Sequence, residues 1–90
     1  MKNHKYTINL EWIGNEGYGT LDYKSYNRNH KITVAKKYDA ILGSSDPAFM
    51  GDVNRYNPEE LFLASIAGCH MLWYLHFCSV HAVLTIQPYF

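Results

Sequence analysis

Residues 61–90 contain no Lys, Arg, Asp or Glu; the eight basic and eight acidic residues of this 90-residue chain all fall within positions 1–60. A folded domain keeps much of its surface in water, so thirty consecutive uncharged positions demand a cover. A partner subunit, lipid, or the rest of a larger domain would each provide one. Cysteine is scarce as well. Two residues, Cys69 and Cys78, make no disulfide framework. The balanced charge gives no electrostatic case for nucleic acid or for an anionic membrane surface. The opening stretch "MKNHKYTINLEWIG" is polar and alternating, without the apolar core of a signal peptide. These features lead to the expectation of a reducing, cytoplasmic compartment, with no nucleic-acid and no membrane partner. Internal repeats and low-complexity tracts are also missing.

What the chain does have is aromatic mass, 16% of its residues and eight of them tyrosine. At this length it is one small domain, near the lower limit for a self-sufficient core. Along residues 5–13, Tyr6, Ile8, Leu10 and Trp12 alternate with Lys5, Thr7, Asn9 and Glu11, as in a half-buried strand. "GNEGYG" (14–19) breaks the pattern and "TLDYKSY" (20–26) resumes in strand-forming residues, which predicts a hairpin. "NRNH" (27–30) is turn material, "KITVA" (31–35) is a third strand, and 36–56 is loop-like, rich in Gly, Ser and Asp. "AVLTI" (82–86) is a candidate further strand.

Between these lies "NPEELFLASIAGCHMLWYLHFC" (57–78). Asn57 suits a helix N-cap and Pro58 the first helical position. Glu59 and Glu60 fall in the first turn, where they complement the dipole. The helix is apolar all round and ends near Ser79–His81, so the expectation is a buried rod. The fold class predicted is therefore α+β, an antiparallel hairpin or meander packed with a long buried central helix.

Helical geometry limits the chemistry. Glu59 and Cys69 would stand about 15 Å apart along a straight helix and roughly 80° out of phase. They cannot touch unless a longer residue bridges them, the helix breaks near Gly68, or a second subunit contributes. Cys69 and Cys78 would be about 13.5 Å apart in rise and on opposite faces, beyond the roughly 7 Å Cα limit for a disulfide. Cys78 thus reads as a small buried hydrophobe. Ser65, Ile66, Leu72, Trp73 and His76 share the face of Cys69. A thiol among such neighbours is inert unless a cation reaches it from elsewhere, and Arg28 and Arg55 are the only arginines. On composition alone a structural Cys69 is favoured over a reactive one.

Three weaker signals have plainer readings. Cys69, His76, Cys78 and His81 match no zinc spacing, so no metal site is expected. "GNEGYG" precedes a strand rather than a helix, which makes it a turn and not a phosphate cradle. Residues 61–80 are long enough to span a bilayer, but Ser65, His70 and His76 favour a buried globular helix.

The stretch "NPEELFLASIAGCHMLWYL" resembles the central helix of the OsmC/Ohr family of thiol peroxidases, marked by N-P-E-x-L and a small-residue-rich helix carrying the peroxidatic cysteine. "EWIGNEGYGTLDYKSYNRNHKI" and "GSSDPAFMGDVNRYNPEE" are similar to the hairpin region and connecting loop of an OsmC-like subgroup. The resemblance implies one OsmC-like domain over 1–90, an α+β fold with a curved sheet around long central helices, and an intertwined homodimer with its sites at the subunit interface. It implies reduction of organic hydroperoxides, as in peroxiredoxin-like oxidative stress defence. Cys69 would be the peroxidatic thiol and Glu59 the carboxylate that orients a catalytic arginine. In the family that arginine comes from the first hairpin loop. Here that loop is "GNEGYG", so Arg28 in "SYNRNH" takes the role and Arg55 stands in reserve. Leu72 and Trp73 would line the substrate pocket, and an external thiol reductant would replace any cofactor. Family members are longer: a further stretch of strands and helix, usually with a resolving cysteine, would follow residue 90. The alternative implied by that difference is a non-catalytic dimeric remnant that serves as an interaction or small-molecule binding module.

Overall fold

The computed structural model describes residues 3–90; Met1 and Lys2, which start the polar N-terminal stretch, lie outside them. It is a small α+β chain with a three-stranded antiparallel sheet and one α-helix. The chain divides into two units, one running through Pro58 and the other Glu59–Phe90.

In the first unit the strands are β1 (Asn9–Trp12), β2 (His30–Thr33) and β3 (Ile41–Gly43), in the order β1-β2-β3. Leu10 pairs with Ile32 and Ile32 with Ile41, which puts one apolar row across the sheet. Trp12 pairs with His30 and His30 with Gly43, which forms a second row on the same face. Cross-strand neighbours Glu11 and Lys31 make an exposed ion pair at 3.3 Å.

Three expectations are corrected here. The strand predicted over 5–13 is shorter, Asn9–Trp12. Residues 20–26 form no strand, because side chains capture the backbone into turns. Asn15 Oδ1 accepts from the Gly17 and Gly19 amides, Asp22 Oδ1 from Lys24, and Ser25 Oγ from Asp22. The partner of β1 is therefore β2, with a long turn-rich connection between them. Finally, the segment expected as loop contains β3. Three residues are too few for an alternating pattern, and it is the ladder to β2 that makes them a strand.

Beyond β3 the chain folds into a side-chain-stitched loop. Ser44 is fully buried and its hydroxyl accepts from the Asp52 amide. Asp46 caps a single 3₁₀ turn, Pro47–Phe49, by accepting from the Ala48 amide at 2.8 Å. Tyr56 then returns beside β3, with Ser44 N donating to Tyr56 O and Tyr56 N to Leu42 O.

The second unit is built on α1, Pro58–Val80, which starts at the last residue of the first unit. Glu59 and Glu60 occupy its first turn, as the sequence indicates. It ends in a Schellman motif: Ala82 adopts a left-handed φ of 55°, Ala82 N donates to Ser79 O, and Val83 N to Cys78 O. That reversal explains why residues 82–86 add no strand: they turn back instead of pairing. Phe90 meets Tyr74 and His70, with ring centroids 5.5 and 6.3 Å away. On α1 itself, Trp73, Phe77 and His81 stack at successive four-residue spacings.

The expected burial of the helix is not found within one chain. No residue of α1 is buried, and no hydrophobic side chain is buried among the described residues. The physical reason is the one composition pointed to: a helix apolar on every face needs more covering surface than ninety residues supply.

Candidate functional site

The five residues singled out from the sequence fall into two groups. Glu59, Cys69, Leu72 and Trp73 are on α1; Arg28 is in the connection between β1 and β2. Each group is organised by its own unit.

On α1 the helix runs unbroken through Gly68, so Glu59 and Cys69 keep the separation that ten positions impose, about 15 Å. Cys69 is exposed and Cys78 half-buried, and both are free thiols. The expectation of a buried Cys69 is therefore corrected for the single chain. Leu72 and Trp73, one turn beyond the cysteine, line a shallow groove of about 250 Å³ with His76. The Trp73 and His76 rings meet edge-on at 5.7 Å. Cys69 lies one turn before this groove on the same helical face, and the apolar wall suits an apolar substrate body. By length and composition α1 could also cross a membrane, with a mean hydropathy of 1.4 over its most apolar window.

In the first unit Arg28 is held firmly. Its Nη1 donates to Tyr26 O and its Nη2 to Tyr23 O, each at 2.7 Å. The guanidinium carbon lies 3.9 Å from the Tyr26 ring centre and 4.3 Å from that of Tyr23. Arg55, the reserve candidate, is engaged differently: its Nε is 3.7 Å from Asp52 and its Nη1 donates to His30 O at 3.3 Å.

Around Arg28 lies a cleft of about 390 Å³, walled by Trp12, Tyr26, His30, Ser44, Ser45 and Pro58. The sequence reading did not find it. Its walls come from β1, the β1–β2 connection, β2, the loop after β3 and Pro58, and such convergence is invisible to periodicity. One signal was available. The spacing Tyr23-x-x-Tyr26-x-Arg28 puts two aromatic rings within reach of one guanidinium. Two of the walls, Trp12 and His30, are fixed by hydrogen bonds to backbone carbonyls. Trp12 Nε1 donates to Asn27 O at 2.9 Å, and its ring meets Tyr26 edge-on at 5.8 Å. His30 Nδ1 donates to Arg28 O at 2.9 Å, because a carbonyl can only accept. The His30 ring lies against Gly43, where a side-chain carbon would collide with it.

Among the described residues no group of three or more His, Cys, Asp or Glu could hold a metal ion. No family model matches the chain, and neither a curated protein nor a solved structure matches it.

Proposed function

We propose that the chain is an OsmC-like thiol peroxidase of the cytoplasm that reduces organic hydroperoxides through Cys69 and works as a homodimer. The observation that carries this reading is the helix Pro58–Val80. It opens on N-P-E-E-L, with Asn57 just before its first residue, and its middle holds an exposed thiol one turn before the Leu72–Trp73 groove. The dimer is supported by the absence of any buried hydrophobic side chain among the described residues of one chain. A second copy supplies the cover that folding entropy demands.

The chemistry follows from the residue types. The Cys69 thiolate attacks one peroxide oxygen and the O–O bond breaks. The other oxygen leaves as alkoxide and takes up a proton, and the cysteine becomes a sulfenic acid. A small thiol reductant then condenses with the sulfenic acid, releasing water, and a second equivalent restores Cys69. Arg28 is the cation that stabilises the thiolate and the charge on the departing oxygen, and Glu59 orients it. Leu72 and Trp73 take the organic body of the substrate.

Consumption of cumene hydroperoxide in the presence of dithiothreitol tests this directly. Wild-type protein should turn over and Cys69→Ser should not, whereas Cys78→Ser should keep the rate. A second reading, a non-catalytic binding module, is favoured by the preformed cleft around Arg28. It predicts no peroxide consumption by any form of the protein.

A further inference from the structure

We propose that the cleft bounded by Trp12, Tyr26, Arg28, His30 and Ser45 is a binding site for a small planar carboxylate with an aromatic body. This goes beyond the thiol chemistry and shares only Arg28 with it; every residue involved belongs to the first unit, so benzoate binding can be read whether or not Cys69 reacts.

Three observations carry it. The first is charge. Arg28 brings the one permanent charge to the lining, which is otherwise Trp12, Thr20, Tyr26, His30, Ser44, Ser45 and Pro58, with no Asp or Glu. A cleft with one cation and no carboxylate in its wall favours an anion. The second is geometry at that cation. The Tyr23 and Tyr26 rings lie against the guanidinium, 4.3 and 3.9 Å from its carbon, and Arg28 lines the cleft. A guanidinium has more N–H donors than the two that bind Tyr26 O and Tyr23 O. A planar fork of donors matches the two oxygens of a carboxylate better than a compact ammonium would. The third is shape. Trp12 and Tyr26 meet at 85° and make a corner of two flat walls, with Pro58 on the lining beside them. A flat ring fits such a corner.

Preorganisation makes the site more than a surface dent. Trp12, Arg28, His30 and Ser45 are each tied to a backbone carbonyl before any ligand arrives. Little side-chain freedom is then lost on binding. The cleft is open to solvent, so the affinity for a fragment-sized acid is expected in about the millimolar range.

The experiment is an NMR titration of the ¹⁵N-labelled full chain with benzoate, with benzamide and with inorganic phosphate in parallel. Saturable shifts are expected at the Trp12 indole N–H and at the Ser44 and Ser45 amides, with benzamide and phosphate each about tenfold weaker or worse. Arg28→Gln should weaken benzoate by about tenfold, while Arg28→Lys retains part of the affinity. Should Arg28→Gln fail to fold, the benzoate–benzamide comparison on wild type decides alone. Absence of saturation at millimolar benzoate, shifts confined to residues 59–90, or equal binding of benzamide would overturn the proposal. Phosphate binding as tightly as benzoate would overturn it too, because the planar body would then contribute nothing.

Discussion

Glu59 and Cys69 lie ten positions apart on one helix that runs unbroken through Gly68. Their separation along the axis, about 15 Å, is several times a hydrogen-bond length. Glu59 therefore cannot act directly on the sulfur of its own chain. If the carboxylate matters to peroxide reduction, it acts by positioning a longer cationic residue. On this account Arg28→Gln lowers the rate of Cys69 oxidation by about a hundredfold, because the departing oxygen loses its charged donor. Glu59→Gln lowers it less, and Glu59→Asp restores part of the loss. Stopped-flow measurement of thiol oxidation by cumene hydroperoxide checks both. An Arg28→Gln rate equal to wild type would remove Arg28 from the mechanism.

Association follows from exposure. Phe62, Leu63, Ile66, Leu72 and Trp73 are each more than half exposed on a helix that carries no charge after Glu60, and burying them between two copies would yield several kcal/mol. Sedimentation equilibrium without detergent should give about twice the 10.4 kDa chain mass. Ile66→Glu should weaken the dimer by at least about tenfold, since it places a charge in the apolar seam. Protein that stays in the membrane fraction would instead favour the lipid-spanning reading of α1.

Gly43 allows the close approach of the His30 ring that shapes the cleft. Gly43→Ala should cost about 1–3 kcal/mol in urea denaturation, because the added carbon meets an imidazole that Arg28 O holds in place. In a His30→Ala background the same substitution should cost well under half of that. Equal costs in both backgrounds would mean the strain lies in the strand and not in the ring contact.

Ala82 occupies the left-handed position of the Schellman motif without the freedom of glycine. Ala82→Gly should stabilise the chain by about 1 kcal/mol, read as a rise in melting temperature. An unchanged or lower melting temperature would show that the helix ends differently in solution.

Much of this was legible in the sequence, for identifiable reasons. Asn57, Pro58, Glu59 and Glu60 signal the start of α1 through local capping chemistry, and the apolar run to Val80 gives its length. β1 shows in the alternation about Leu10 and Trp12. The β2 partner of that strand does not show, since Asn15, Asp22 and Ser25 divert the nearer candidate into turns that only their hydrogen bonds reveal. β3 is three residues long, and nothing local separates it from loop. Of the site, the α1 residues could be placed by helical arithmetic. The Arg28 cleft could not, because its walls come from five segments joined only by folding. Composition called for a cover over residues 61–90, but the expected burial of the helix is not met within a single chain, which buries no hydrophobic side chain among its described residues.

The central claim is that Cys69 is the thiol peroxide attacks. Mass spectrometry after a brief exposure to cumene hydroperoxide, with dimedone present to trap sulfenic acid, compares it with Cys78 inside the same molecule. The account predicts a dimedone adduct on the peptide bearing Cys69, at stoichiometric peroxide, with Cys78 unmodified. No adduct at Cys69, or equal labelling of both cysteines, would contradict it.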